Sequence, residues 1–263
     1  GETAADVAAR AAQSLEAWLD AHHDETAALI VEPLVQCATG MAMHDPAYLR
    51  AARALCDRYG VHLVVDEIAT GFGRTGTMFA HQQAGIRPDF VCLSKGLTGG
   101  TMALAVVLAT DAVYEAFYDD DTARGFLHSH SYTGNPLACR AALATLELFE
   151  REDVIAANRE RGDMIDRHLR PLHAHPRLRH ARRLGMIWAW DVADAPADFA
   201  RRYARHALAH GLLLRPIGAT LYAMPPYVLG EAEAAHLGRG ALAALEATLA
   251  ESADPRVDAK ALP

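Results

Sequence analysis

Residues 61–76 read VHLVVDEIATGFGRTG, and this stretch decides the fold. Its first part is rich in β-branched residues, which predicts a buried strand. The strand ends in a carboxylate, Asp66. In open α/β folds, ligands bind at the edge of the sheet formed by the carboxyl ends of the strands. Asp66 is therefore a candidate ligand-binding residue at such an edge.

A second short buried strand is predicted at Phe90–Leu93, and Ser94-Lys95-Gly96 follows it. Because both strands would end at the same edge, we expect Asp66 and Lys95 to face one site. A lysine in this position suits imine formation better than exposure to solvent, and desolvation would favour the neutral amine needed for attack. The plainer alternatives are that Asp66 caps a turn and that Lys95 is a surface residue.

Apolar runs alternate with helical patterns along the chain. Such runs indicate a sheet covered on both faces, so the predicted class is α/β with mostly parallel strands. A composition shift predicts a domain boundary near residue 155, which separates residues 1–155 from a smaller α/β domain at residues 156–263. The predicted helices cover residues 4–19, 46–59, 137–149, 154–169, 197–210 and 231–251. Further strands are predicted at residues 27–31, 185–191, 212–215 and 220–223, with an apolar run at 103–109.

Composition excludes several classes of function. The 263 residues carry a net charge of −8 and are 51% hydrophobic, which is typical of a soluble globular protein. No basic stripe or DNA-reading motif occurs, so no nucleic-acid partner is expected. No apolar run approaches membrane-spanning length, so no membrane association is expected. The cysteines are scattered without a C-x-x-C pair, which favours reduced thiols and a cytoplasmic location.

Three motifs resemble those of the class-III aminotransferases. In the family's order they are VEP at 31–33, DEIATGFGRTG at 66–76 and SKGLTGG at 94–100. The resemblance implies a pyridoxal-phosphate (PLP) transferase of fold type I, with the later part of its PLP-binding large domain at residues 1–155. It implies PLP as the cofactor, held as an imine by the catalytic Lys95. It also places Asp66 at the pyridine nitrogen and Ile68 against the ring.

The residue at position 69 helps to choose a branch within the class, since many members of the class carry glutamine where this chain has Ala69. The form DEIATGFGR is similar to the branch that aminates 8-amino-7-oxononanoate in biotin synthesis, and it implies S-adenosylmethionine as the amino donor. By the same resemblance, Arg215 binds the carboxylate of the acceptor and Tyr222 lines the substrate pocket. The alternatives are an exposed structural arginine and a buried core tyrosine.

The loop HSHSYTGNP at residues 128–136 resembles the family's loop that binds the cofactor phosphate across a dimer interface. Ser131 takes the place of a threonine in that loop. The resemblance therefore makes Ser131 and Tyr132 cofactor-binding residues and implies a homodimer. His128 and His130 have no third ligand at a recognisable spacing, so no metal site is expected.

Two other functions stay open on the sequence alone. One is a general ω-amino-acid aminotransferase, which would share Lys95 and Asp66 but differ around Ala69 and Tyr222. The other is a PLP-binding module without turnover, such as a truncated product. The resemblance matches only the later part of the family's polypeptide, and the chain opens on Gly1 rather than methionine. We therefore expect the N-terminal part of the family to be absent from it.

Overall fold

The computed structural model describes residues 2–252, and the chain forms two compact units. The first unit contains the chain up to Val35 and again from Met43 to Ile155. The second contains Gln36–Ala42 and the chain from Ala156 onward. Each unit has a sheet of its own.

The described chain contains nine strands and seven α-helices. The strands are β1 (Ala28–Val31), β2 (Val35–Gln36), β3 (Ala42–Met43), β4 (His62–Asp66), β5 (Phe90–Leu93), β6 (Val106–Ala109), β7 (Leu178–Leu184), β8 (Ile187–Val192) and β9 (Thr220–Ala223). The α-helices are α1 (Ala4–His22), α2 (Pro46–Tyr59), α3 (Asp111–Glu115), α4 (Pro136–Arg151), α5 (Val154–His173), α6 (Phe199–Ala209) and α7 (Glu231–Ser252). Across residues 2–252, no helix has the length and apolar content needed to cross a membrane.

A four-stranded sheet forms the centre of the first unit, in the order β1-β4-β5-β6. The pairs β1–β4 and β4–β5 are parallel, whereas β5 and β6 are antiparallel. Asp66 ends β4 in register with Cys92 of β5, so the carboxyl ends of these neighbouring strands share one edge. The predictions of strands β4 and β5 and of a mostly parallel sheet are confirmed.

Helices α1 and α2 contact each other in the first unit. Helix α1 begins with a capping box in which the Thr3 hydroxyl accepts the Asp6 N–H and the Asp6 carboxylate accepts the Thr3 N–H. Helix α2 begins after Asp45, whose Oδ1 accepts the Ala47 N–H at 2.7 Å. It ends at Gly60, where a φ of 68° suits glycine. The predictions of both helices are confirmed. They could be made from the sequence because the residues that cap each helix lie next to it in the chain.

The second unit packs helices α5, α6 and α7 against a three-stranded antiparallel sheet in the order β7-β8-β9. Its core contains the fully buried Trp188 and Trp190 of β8. The Trp188 indole N–H donates to Asp166 at 2.8 Å, and the Trp190 indole N–H donates to His173 at 3.1 Å. The core therefore buries two large aromatic side chains without leaving their polar atoms unpaired.

The strand predicted at residues 212–215 is wrong. This segment forms no ladder with any strand of the described chain. Leu212 and Leu214 pack on the core of the second unit, whereas Leu213 is 78% exposed. The alternation of packed and exposed leucines imitates a strand pattern without strand pairing. Arg215 consequently lies in a loop rather than at a strand end.

Strand β7 was not predicted, because its sequence LRHARRL lacks the apolar pattern of a strand. It is an edge strand with one buried residue in seven, and edge strands commonly carry charged side chains. A register shift between Arg179 and Arg182 also interrupts its pairing with β8. The pairing is therefore set by the neighbouring strand more than by the sequence of β7.

Candidate active site

Asp66 is the last residue of β4, and it is half-buried. Its Oδ1 accepts the Ile68 N–H at 2.9 Å, which fixes the orientation of the carboxylate and brings Ile68 beside it. Within residues 2–252, Oδ2 accepts no hydrogen bond. One oxygen is thus held by the main chain while the other remains available to a ligand.

Lys95 follows β5 after a single intervening residue, Ser94, whose hydroxyl donates to the Leu104 carbonyl at 2.7 Å. The φ of Lys95 is 45°, in the left-handed region that residues other than glycine rarely adopt. Its side chain is exposed and forms no hydrogen bond or ion pair with the rest of the described chain. Within residues 2–252 the predicted desolvation of Lys95 is not found, because the residue is exposed.

The segments that carry Asp66 and Lys95 are in direct contact. A Cβ placed on Gly96 would lie 2.8 Å from the Cβ of Phe72 and 2.9 Å from its Cδ2. Phe72 is buried, has a φ of 56°, and belongs to the turn that follows Asp66. Only glycine at position 96 allows the lysine segment to approach this turn so closely.

Cys92 lies beside Asp66 across the β4–β5 ladder. Burial, and after it the negative charge of Asp66, raises the pKa of the Cys92 thiol. A thiol with a raised pKa stays protonated and is a poor nucleophile near neutral pH. The Cys92 thiol is therefore a weak candidate for the nucleophile at this edge of the sheet.

Ser131 and Tyr132 lie in an exposed loop before α4, and Tyr132 is 77% exposed. The loop is held by its own hydrogen bonds: the His130 N–H donates to the Thr133 hydroxyl, and the Tyr132 N–H donates to His130 Nδ1, both at 3.1 Å. Within residues 2–252, neither Ser131 nor Tyr132 forms a hydrogen bond to Asp66. The structure thus does not join this loop to Asp66 by a hydrogen bond.

Arg215 and Tyr222 belong to the second unit. Arg215 is exposed, which leaves its guanidinium open to an anion. Tyr222 is half-buried on β9, where it pairs with Ala189 of β8. Neither side chain forms a hydrogen bond within the described chain.

Glu67 is a functional candidate that the sequence analysis missed. It is 0% exposed, and its carboxylate accepts hydrogen bonds from Thr70, Ala80 and His81. A signal for it was present, because the side chains of a strand alternate between faces. The buried Leu63 and the two positions that follow at that spacing, Val65 and Glu67, all point inward.

The donor set at this edge fits PLP. Lys95 has the primary amine that the cofactor's aldehyde would require, and Asp66 Oδ2 is an oxygen that could face its pyridine nitrogen. Both groups come from neighbouring parallel strands of one sheet. Among the described residues, no group of three or more His, Cys, Asp and Glu side chains could hold a metal ion.

Comparison with known proteins identifies related sequences over most of the chain. The sequence model of the Aminotransferase class-III family matches residues 2–245. The adenosylmethionine-8-amino-7-oxononanoate aminotransferase of Helicobacter pylori is 43% identical over 226 residues, which cover 84% of this chain and 52% of that relative. The protein of the same name from Nitratidesulfovibrio vulgaris is 42% identical over 239 residues, which cover 85% and 44%. The chain therefore spans about half the length of the curated relatives that it matches.

Solved structures share the fold. The adenosylmethionine-8-amino-7-oxononanoate aminotransferase of Methanocaldococcus jannaschii superposes with a TM-score of 0.83 at 31% identity, over 90% of this chain and 57% of that one. The omega transaminase of Pseudomonas jessenii in complex with PMP gives a TM-score of 0.87 at 30% identity, over 95% and 57%. The predicted fold type I is confirmed, and PLP is the cofactor of the family to which these proteins belong. The chain is a member of the class-III aminotransferase family.

Proposed function

We propose that the protein catalyses PLP-dependent transamination of 8-amino-7-oxononanoate to 7,8-diaminononanoate, with S-adenosylmethionine as the amino donor. The observation that supports it most directly is that Asp66 ends β4 and Lys95 follows the neighbouring parallel strand β5, so the two residues share one sheet edge. The relatives that are 42% and 43% identical carry the name of this reaction. The proposal places the protein in biotin biosynthesis in the cytoplasm.

In this proposal each residue at the sheet edge has a separate role in the reaction. When bound, PLP supplies the electron sink that stabilises negative charge on the substrate's carbon. Asp66 Oδ2 holds the proton of the pyridine nitrogen, while Oδ1 is fixed by the Ile68 N–H. Lys95 Nζ would hold the cofactor through its aldehyde carbon, and as a neutral amine Nζ would accept and return the proton of the substrate's carbon. Ile68, whose N–H donates to the Asp66 carboxylate, would pack its side chain against the ring.

The proposal assigns substrate contacts to Arg215 and Tyr222. The exposed Arg215 binds the carboxylate of the acceptor, because a guanidinium offers two parallel N–H donors to a carboxylate. Tyr222 lines the substrate pocket. Residues 156–263 then act as the C-terminal small domain, and residues 1–155 as the later part of the PLP-binding large domain.

A homodimer completes the proposed site. Ser131 and Tyr132 are exposed in a loop of the first unit, so they are accessible to a second subunit. We assign the Ser131 hydroxyl to the phosphate of the cofactor bound by that second subunit, with Tyr132 beside it. A hydroxyl in an exposed loop can donate such a hydrogen bond without a burial penalty in the free chain.

A second candidate function is transamination of ω-amino acids or other amines. The observation that favours it is structural, because omega transaminases superpose with TM-scores of 0.86 and 0.88 at 31% and 29% identity. These identities are lower than the 43% and 42% of the Helicobacter pylori and Nitratidesulfovibrio vulgaris relatives, and they are similar to the 31% of the Methanocaldococcus jannaschii structure. The two functions share Lys95 and Asp66 and differ in the substrates accepted.

An assay of substrate choice tests the proposal. The PLP-loaded protein, expressed from its complete reading frame, is given 8-amino-7-oxononanoate with S-adenosylmethionine, and in parallel pyruvate with a series of ω-amino acids. Mass spectrometry measures 7,8-diaminononanoate in the first mixture and alanine in the second. We expect turnover in the first mixture only. Turnover confined to the second would replace the proposal with the second candidate.

The lysine content of the chain makes the anchoring residue easy to identify. The chain contains two lysines, Lys95 and Lys260. Borohydride reduction traps PLP on the lysine that holds it, and peptide mapping then locates the label. We expect the label on Lys95, its loss in Lys95→Ala, and its retention in the control Lys260→Ala. A label on Lys260 would overturn the role given to Lys95.

A further inference from the structure

Glu67 carries a fully buried carboxylate with four hydrogen bonds. Oε2 accepts the Thr70 hydroxyl at 2.9 Å and the Ala80 N–H at 3.0 Å. Oε1 accepts the His81 N–H and His81 Nδ1, both at 2.9 Å. A buried carboxylate with so many donors is a strong constraint, since charge-assisted hydrogen bonds are roughly twice as strong as neutral ones.

These hydrogen bonds close the turn that follows Asp66. The donors come from both ends of residues 70–81, so the carboxylate of Glu67 joins the beginning of the turn to its end. The Gly71 N–H also donates to the Glu67 carbonyl at 2.9 Å. A Cβ at Gly71 would lie 2.9 Å from that carbonyl oxygen, so the turn is tightly packed around Glu67.

The closed turn touches both of the groups that the proposed function uses. At its start, the Ile68 N–H orients the Asp66 carboxylate at 2.9 Å. In its middle, Phe72 lies against Gly96, the residue next to Lys95. Movement of the turn would therefore change the orientation of Asp66 and the support of the lysine segment together.

We propose that Glu67 is a positioning residue that holds Asp66 and Lys95 in register for the cofactor. It acts by closing the turn of residues 68–81, and it touches neither the cofactor nor the substrate. This inference rests on the proposed function, in which Asp66 and Lys95 hold PLP. It adds a role for the second carboxylate of the Asp66-Glu67 pair and for its partner His81.

Glu67→Gln tests the proposal with little change in shape. The side-chain amide of the glutamine has two orientations. In one its NH₂ group faces the Ala80 N–H, and in the other it faces the His81 N–H. The backbone N–H that faces the NH₂ group consequently loses its acceptor. The matched control is Asp89→Asn, since Asp89 also accepts a backbone N–H, that of Leu63 at 2.7 Å. Asp89 lies before β5, whereas the site lies after it.

The first measurement is backbone hydrogen–deuterium exchange, which requires no cofactor. The reporters are the amides of Leu97 and Gly99, which donate to the carbonyls of Ser94 and Gly96 at 3.0 and 3.1 Å. In Glu67→Gln we expect these amides to exchange between about fivefold and a hundredfold faster, the range for one lost buried hydrogen bond. In Asp89→Asn they should exchange at the wild-type rate once global stability is matched with urea.

The second measurement is the affinity for PLP in the protein expressed from its complete reading frame. We expect Glu67→Gln to weaken PLP binding by about tenfold or more, which corresponds to a loosened contact with a charged partner. Asp89→Asn should bind PLP as the wild type does. If the wild type itself bound no PLP, the proposed function would fail, while the exchange measurement would still test the role of Glu67.

A pair of variants at His81 covers the case in which Glu67→Gln does not fold. His81→Leu removes the Nδ1 donor, whereas the side-chain amide of His81→Asn can place a nitrogen at the position of Nδ1. We expect faster exchange of Leu97 and Gly99 in the leucine variant and rescue in the asparagine variant. Unchanged exchange in Glu67→Gln, or equal exchange in the two His81 variants, would overturn the proposal.

Discussion

At the scale of single residues, Lys95 combines a functional side chain with an unfavourable backbone. Its φ of 45° disfavours every residue with a Cβ, and glycine alone adopts it freely. Strained conformations of this kind concentrate at functional sites, where the surrounding structure maintains them. Here the contact of Gly96 with Phe72 lies next to the strained residue. The strain belongs to the backbone of Lys95 and not to its amine. Its effect on stability can therefore be measured in variants that lack the amine.

We expect Lys95→Gly to be more stable than Lys95→Ala by about 1 kcal/mol, because glycine relieves the left-handed conformation. Urea unfolding of both variants measures the difference. The control is Ala54→Gly, at an exposed position inside helix α2, where glycine should lower stability by about 1 kcal/mol relative to alanine. A glycine variant at position 95 that is less stable than the alanine variant would show that the strain is absent.

The ionisation of Asp89 should make the unfolding free energy of the protein depend on pH. Burial raises the pKa of its carboxyl, but hydrogen bonds from the Arg53 guanidinium and the Leu63 N–H, with the positive charge of Arg53, lower the pKa below 3.8 overall. A lowered pKa in the folded state contributes stability above the unfolded pKa, and this contribution is lost as the pH falls through the folded pKa. Asp89→Asn should therefore lower the unfolding free energy by about 1–3 kcal/mol at neutral pH and by progressively less in acid. Urea unfolding at several pH values checks this, and a pH-independent difference would contradict it.

At the scale of elements, Arg182 of β7 fixes the segment Gln36–Ala42 to the second unit. Its guanidinium donates to the Met41 carbonyl at 3.0 Å, the Gly40 carbonyl at 2.6 Å and Asp191 Oδ1 at 2.9 Å. The planar guanidinium serves several acceptors at once, which an ammonium on a flexible stem cannot do in the same geometry. One side chain from a distant part of the sequence thus makes two hydrogen bonds to this segment.

We expect Arg182→Lys to keep the charge but to increase amide exchange in residues 36–42 by about tenfold, because it loses at least one of these hydrogen bonds. Exchange measured by mass spectrometry on peptides from this segment checks the prediction. Arg179→Lys, on the same strand, serves as the control and should leave the segment unchanged. Equal exchange in the wild type and in Arg182→Lys would show that other contacts hold the segment.

The elements also show what the sequence can and cannot predict. Helix α2 was predicted with its observed bounds, because proline at its start and Gly60 at its end are local signals. Residues 212–215 were wrongly predicted as a strand, since pairing depends on a neighbour that the pattern does not contain. The partners of Glu67 and Arg182 were also not predicted, because they are tertiary contacts. The sequence therefore predicted that Asp66 and Lys95 lie at one edge of the sheet, but it did not predict the tertiary contacts around that edge.

At the scale of the whole molecule, the first unit exposes many large apolar side chains in one stretch of sequence. They are Val107, Leu108, Tyr114, Phe117, Tyr118, Phe126, Leu127, Tyr132 and Leu137. Soluble proteins rarely expose so many large apolar side chains without a partner, and such surfaces mark interfaces. The stretch includes Ser131, so the proposed homodimer and the proposed phosphate contact would use the same part of the chain.

Charge placed in this stretch should therefore weaken the proposed dimer. Phe126 is 70% exposed and Leu127 is 89% exposed, so replacing both by aspartate should leave the fold of the monomer intact. Burial of two unpaired carboxylates opposes association, and we expect the dimer dissociation constant to rise by a factor of about 100 or more. Sedimentation velocity at several concentrations measures this for the protein expressed from its complete reading frame. The matched control is Val228→Asp, which changes an 87% exposed apolar residue of the second unit and should leave the dimer intact. If the double variant sedimented as the wild type does, residues 126 and 127 would lie outside the interface, and the assignment of Ser131 to a partner's cofactor would lose its support.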